Sequence, residues 1–92
     1  MINIIYEPIG KRIAAYDNRV EIGLLKFSPS AETWIIDTIS VDEDFQGQGI
    51  GEQLLDRCVD EARKKGKKVI PLCSYASAKF AEHPEKYEDV SR

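Results

Sequence analysis

One stretch limits the folds open to this chain. Thr33–Val41 is its most β-branched run, with Thr33, Ile35, Ile36, Thr38, Ile39 and Val41, which is the composition of a strand. An acidic turn, Asp42-Glu43-Asp44, and the run Gln46-Gly47-Gln48-Gly49-Ile50-Gly51 follow. From Ile50 onward apolar residues recur at Leu54, Leu55, Cys58, Val59 and Ala62, one face of a helix. Gly66 closes that helix, and Arg63, Lys64 and Lys65 fall in its last turn, where positive charge suits the helix dipole. Strand, glycine-rich turn and helix, in that order, build an anion site. Glycines let the backbone approach a phosphate with no Cβ between them. The first helical amides lack intrahelical partners and point at the same place. The stretch is therefore expected to hold the pyrophosphate of a nucleotide-like cofactor; the alternative is a tight strand-to-helix turn with no ligand.

The residues before it read as three short strands, Asn3–Glu7, Lys11–Tyr16 and Val20–Ser28. Turns at Pro8 to Gly10, Asp17-Asn18-Arg19 and Ser28-Pro29-Ser30-Ala31 separate them. Three short connections in succession predict an antiparallel meander of four strands. The β-branched density of Thr33–Val41 predicts a central strand covered on both faces. After the helix, Lys68–Leu72 predicts a fifth strand, and a strand–helix–strand unit of this length places it parallel to the fourth. Ser74 or Ser77 starts a C-terminal helix that reaches Glu82, and Pro84 stops it. The expected fold is mixed α/β (α+β).

The chain's 92 residues are expected to form one domain, 1–92. A net charge of −3 and a pI near 5.1 argue against nucleic acid or an anionic membrane as the main partner. No apolar run approaches the ~20 residues that span a bilayer. The start, Met1-Ile2-Asn3-Ile4-Ile5-Tyr6-Glu7, lacks the basic and small-residue pattern of a signal peptide, so the expected compartment is the cytoplasm. Cys58 and Cys73 show no metal-ligand spacing, with no CxxC and no Cys/His pairing, and are expected as free thiols; no metal site is expected.

The glycines stand as G-x-G-x-G, not the G-x-G-x-x-G of dinucleotide binding. No acidic residue follows about twenty positions on, and no Gly-Lys-Ser/Thr is present. The string from Val41 to Leu55 resembles instead the acetyl-CoA-binding motif of the GNAT acetyltransferase superfamily, Q/R-x-x-G-x-G/A. Ile70-Pro71-Leu72-Cys73, Tyr75, Phe80, His83-Pro84, Tyr87 and Asp89-Val90 resemble the C-terminal pattern of a small GNAT-like subfamily of about 90–100 residues, which carries P-x-C after the fifth strand. That resemblance implies acetyl-CoA as acyl donor and an acceptor that is a small amine or a protein. It implies that Gln46, Gly47, Gln48, Gly49, Ile50 and Gly51 hold the pyrophosphate, while Ile39, Ser40 and Val41 line the pantetheine arm. The side chains of Asp42-Glu43-Asp44 should then point away from the phosphates.

Acetyl transfer needs a deprotonated amine, a polarised thioester carbonyl and a proton for the leaving thiolate. Members of the superfamily often use a strand-four Glu and a Tyr on the helix after strand five. Here Phe80 falls at the Tyr position, and Thr38-Ile39-Ser40-Val41 replaces a His-Thr-Glu that often precedes the Val. Three side chains remain as catalytic candidates. Cys73 is expected beside the thioester, as an acyl acceptor or cofactor contact, or else as a buried apolar residue. Tyr75 can serve as the acid or as half-buried packing. His83 can serve as a base or merely end a helix. Asp37 is a further carboxylate in the strand, and Trp34 and Tyr87 are aromatics of the core or rim. Lys64, Lys65, Lys67 and Lys68 either attract the adenosine 3′-phosphate or solvate a helix end. The two resulting readings are an N-acetyltransferase and a CoA or acyl-CoA binding module without turnover, self-acylated on Cys73.

Overall fold

The computed structural model describes residues 1–91. Five strands form one sheet in sequence order: β1 (Ile2–Glu7), β2 (Arg12–Asp17), β3 (Val20–Pro29), β4 (Thr33–Val41) and β5 (Lys68–Pro71). The first four are antiparallel, and β4 and β5 run parallel. A 3-10 turn (Glu43–Phe45) and helix α1 (Ile50–Lys64) connect β4 to β5, and α2 (Ser74–Glu82) and α3 (Pro84–Tyr87) follow. This is the mixed α/β architecture that the sequence predicts. No helix of the described residues is long and apolar enough to cross a membrane.

Several boundaries differ for local reasons. Lys11 has φ 56°, a left-handed conformation that ends the Pro8–Lys11 turn, so β2 begins at Arg12. Asn18, at φ 57°, makes the β2–β3 turn. Pro84 does not simply stop the C-terminal helix. It ends α2 at Glu82 and opens α3 from its first position, where the missing N–H costs nothing.

Strand β4 also departs from the expectation of cover on both faces. Its first half is buried, but Thr38 and Ser40 are exposed. The register against β3 shifts between Lys26, opposite Thr38, and Phe27, opposite Ile36, so Asp37 is an extra residue. Such a bulge resets the alternation. Trp34 and Ile36 before it, and Ile39 and Val41 after it, all pack with the core cluster.

Helix α1 lies on the sheet. A Cβ on Gly23 of β3 would stand 3.3–3.4 Å from Ala15, Ile50 and Leu54, so the glycine lets α1 approach. Its far end is a Schellman stop: Gly66, at φ 68°, donates to Arg63 O, and Lys67 N donates to Ala62 O. Arg57 ties the helix to the edge strand, donating to Ile4 O at 2.8 Å and to Glu61 at 3.1 Å. The C-terminal segment docks through Tyr87. Its ring is fully buried, stacks on Phe80 at 4.4 Å, and its hydroxyl donates to Asp56 at 2.8 Å.

Two stability predictions follow from this packing. Tyr87→Phe removes a hydrogen bond to a charged acceptor that Lys86 still engages, and is expected to cost about 1–2 kcal/mol. Tyr87→Ala also opens a cavity and is expected to cost about 3–5 kcal/mol; urea unfolding reads both. The second concerns Glu61, which is only 6% exposed. Burial raises its pKa, but the bond from Arg57 and the charges of Lys64 and Lys65 outweigh burial and hold it below the ordinary value. Because the folded pKa is depressed, this stabilisation is complete above the unfolded Glu value and is lost as pH falls through the folded one. The gap in unfolding free energy between wild type and Glu61→Gln should therefore be larger at neutral pH than in acid, and a gap that does not change with pH would refute it.

Candidate functional site

The β4–β5 ladder is short. It pairs Thr33 with Lys68 and ends with Ile36 opposite Pro71. Proline has no N–H to extend a ladder. The chain then turns, with Leu72 N donating to Ile70 O and Cys73 N donating to Ile36 O, both at 3.1 Å. Beyond Ile36, β4 runs on to Val41 with no strand on that side.

The open edge leads to the glycine run. Gly47 and Gly49 have φ of 81° and 78°, and a Cβ on either would meet nothing within 4 Å. Backbone conformation, not crowding, requires them. Gly49 is the N-cap of α1 and supplies no side-chain cap. The first helical amides are therefore left for an outside acceptor. Gln46 folds back, its Nε2 donating to Val41 O at 3.2 Å. Gly51 differs: it is helical, and a Cβ there would stand 3.1 Å from the Tyr75 hydroxyl oxygen. The phenol of Tyr75 thus lies across the first turn of α1.

These groups enclose a cavity of about 690 Å³. Of the cofactor-binding residues expected from the sequence, Ile39, Ser40, Val41, Gln46, Gly47, Gly49, Ile50 and Gly51 line it, and Gln48 and Cys73 do not. Of the catalytic candidates only Tyr75 does. Cys73 is half-buried at the N-cap of α2, packed against the core and outside the lining. His83 joins α2 to α3, with Nδ1 3.9 Å from Glu85, and is also outside the lining. Asp37 accepts a 2.6 Å bond from Ser28 and lies outside it too. Asp42, Glu43 and Asp44 are exposed, and none lines the cavity. Phe80 stacks on Tyr87, and Trp34 stacks on Phe27 at 4.2 Å within the core.

Burial, foremost, holds the Tyr75 pKa above its usual value; the Lys79 charge opposes this, and Glu52, Glu82 and Asp56 add to it. Its hydroxyl therefore keeps its proton at neutral pH. Lys64, Lys65, Lys67 and Lys68, the sequence's candidates for a 3′-phosphate, lie at the other end of α1. The helix is 15 residues long, about 20 Å. There Lys64 and Lys65 face Glu61, Lys67 donates to Ala31 O and Lys68 to Asp89 O.

Sequence reading missed three lining residues, Phe45, Glu52 and Lys79. Lys79 had a signal: it lies four residues after Tyr75, on the same face of α2.

The family model described as GCN5-related N-acetyl-transferase matches residues 12–90. No curated protein shows significant sequence similarity to the chain. Among solved structures, a GCN5-like protein from Staphylococcus aureus is 25% identical, with a TM-score of 0.75 over 98% of this chain and 87% of its own. A GNAT-family acetyltransferase from Elizabethkingia anophelis, solved with acetyl-CoA bound, is 31% identical, with a TM-score of 0.62 over 82% of this chain and 51% of its own. The ribosomal-protein-S18-alanine N-acetyltransferase of Escherichia coli is 22% identical and shares the fold, with a TM-score of 0.66 over 79% of this chain and 50% of its own. The chain thus spans about half the length of the latter two enzymes. With most of its residues matched by the family model, the chain belongs to the GCN5-related N-acetyltransferase family.

Proposed function

We propose that this chain is an N-acetyltransferase domain that takes its acyl group from acetyl-CoA and delivers it to an amine, on a small molecule or a protein. The observation that carries this reading is the cavity that joins the unpaired edge of β4 to the positive-φ glycine run. Its two ends differ in the way an extended, terminally charged donor requires. One end offers backbone amides at a helix start, and the other a strand edge free to pair with amide groups of the donor arm. Membership of the family and the acetyl-CoA bound to the Elizabethkingia relative support the same donor.

In this reading Gln46 to Gly51 hold the diphosphate and Ile39 to Val41 align the arm. Bound acetyl-CoA would supply the activated thioester. The amine nitrogen would bond to the acetyl carbon as the C–S bond breaks, with CoA leaving as the thiolate and the amine's proton passing to water. Tyr75, against the first turn of α1, keeps its proton and donates it in a hydrogen bond to the diphosphate end of the donor. Gly51 leaves room for that phenol, so it serves as a positioning residue. A second reading, CoA binding without amine turnover, draws on the carboxylates. Glu52 is the one in the lining, and it is engaged by Lys79 and Lys86. Among the described residues of the lining, no uncommitted carboxylate is then left to take the amine's proton.

Amide NMR titration with acetyl-CoA, desulfo-CoA and ATP tests the donor. The expected result is large shifts at residues 46–51 and 39–41 with both CoA species and not with ATP; no shift at millimolar ligand would overturn the proposal. Acetyl-CoA turnover on a panel of amines then separates the two readings. Steady, acceptor-dependent CoA release supports the transferase. Binding without release, or one acetyl group left on Cys73 by mass spectrometry, supports the module.

Substitution at Tyr75 tests its role. Tyr75→Phe should weaken acetyl-CoA binding roughly ten- to a hundred-fold, the usual loss of one hydrogen bond to a charged group, with kcat at saturating donor little changed. Gly51→Ala puts a methyl 3.1 Å from the phenol and should shift it, weakening acetyl-CoA binding in the same direction while circular dichroism shows the helix intact. Equal acetyl-CoA affinity in both variants and wild type would remove Tyr75 from the donor site.

A further inference from the structure

We infer that Lys79 is the residue that neutralises the diphosphate of the acyl donor, turning to it from a loose hold between two carboxylates. This rests on the acetyl-CoA reading above and adds to it a specificity-determining side chain. Among the described residues that line the cavity, Lys79 is the one cation. It reaches the cavity from α2, one turn after Tyr75, whose ring centroid is 5.7 Å from its Nζ. Its side chain is only 22% exposed.

The ammonium is placed but not tied. Its nearest anions are Glu52 at 3.7 Å and Glu82 at 3.9 Å, both beyond hydrogen-bond distance. Lys86 makes the contrast. It donates to Asp56 at 2.9 Å and to Glu52 at 3.3 Å. Glu52 therefore keeps a hydrogen-bonded partner if Lys79 leaves it. Glu82 is mostly exposed, at 55%, so water can replace Lys79 there.

The balance of charge calls for such a residue. A diphosphate brings two negative charges to a wall that already holds Glu52. The helix start offers only about half a positive charge. An ammonium with free donors, in a partly desolvated cleft, supplies the remaining compensation through charge-assisted hydrogen bonds.

The test is NMR titration of wild type, Lys79→Met and Lys79→Arg with three probes: CoA, dephospho-CoA and S-acetylpantetheine. Dephospho-CoA keeps the diphosphate and lacks the 3′-phosphate; S-acetylpantetheine lacks both. Lys79→Met should weaken CoA and dephospho-CoA alike, by about ten-fold or more, and leave S-acetylpantetheine unchanged. Lys79→Arg should retain most of the affinity. Glu52→Gln, which removes the competing anion, should tighten CoA binding, and gives a readout in the opposite direction. Equal affinity of Lys79→Met and wild type for CoA would overturn the inference and leave the acetyl-CoA reading standing. A loss shared by S-acetylpantetheine would overturn the inference and make Lys79 a structural support of the cleft. A loss for CoA but not dephospho-CoA would move it to the 3′-phosphate. Failure of wild type to bind any probe would overturn both readings.

Discussion

The site depends on where the β4–β5 ladder stops. Ile36 and Pro71 form its last pair. A proline at that point cannot donate onward, and the next two residues turn the chain so that Cys73 N closes on Ile36 O. Were β5 to continue, the outer edge of Thr38–Val41 would be filled by a strand. Because it does not, the polar backbone of β4 faces a cavity, and buried backbone groups need partners. Gln46 satisfies one of them through its side chain. The rest of the lining follows from the same break, since α2 starts at once, at Ser74, and brings Tyr75 and Lys79 against the first turn of α1.

The three glycines of the run then serve two purposes. Gly47 and Gly49 set the path of the backbone, since both lie at positive φ with open space around the missing Cβ. Gly51 has ordinary helical geometry and matters for its size, because the Tyr75 phenol stands 3.1 Å from where a methyl would be. A spacing that looks like one phosphate motif therefore combines a turn with a seat for an aromatic side chain. Glycine spacing alone could not reveal that the third position answers to a residue 24 places away.

Much of the fold was legible because it rests on local signals. The stripe from Ile50 to Ala62 on α1, the Asn18 turn and the Gly66 stop each act over a few residues, and each is found as expected. The misreadings came from longer-range causes. Ile35, Ile36 and Ile39 suggested a strand buried on both faces, whereas the bulge at Asp37 breaks one alternating pattern into two frames. Pro84 signals a stop in the sequence, but a proline at the first position of a helix is as much a start. The P-x-C pattern offers Cys73 either beside the thioester or as a buried apolar residue; the turn that ends β5 bonds its backbone to Ile36 and packs its side chain with the core. Charge alone leaves the cluster Lys64, Lys65, Lys67 and Lys68 open to a 3′-phosphate or to a solvated helix end. The direction of α1 carries it to the opposite end of the molecule, where Glu61 and backbone carbonyls engage it.

Net charge and local field also part company in this chain. A balance of −3 speaks against broad anionic surfaces such as nucleic acid, since many phosphates would face many carboxylates. It does not govern one anionic group in a cleft. There the controlling quantities are the amides left free at Gly49, the outward exposure of Asp42, Glu43 and Asp44, and the single ammonium of Lys79. With a screening length of about 8 Å at physiological ionic strength, acidic residues elsewhere on the surface are largely hidden from the site. An acidic protein can thus hold a polyanionic donor, provided a short segment of backbone and one loosely held cation face it.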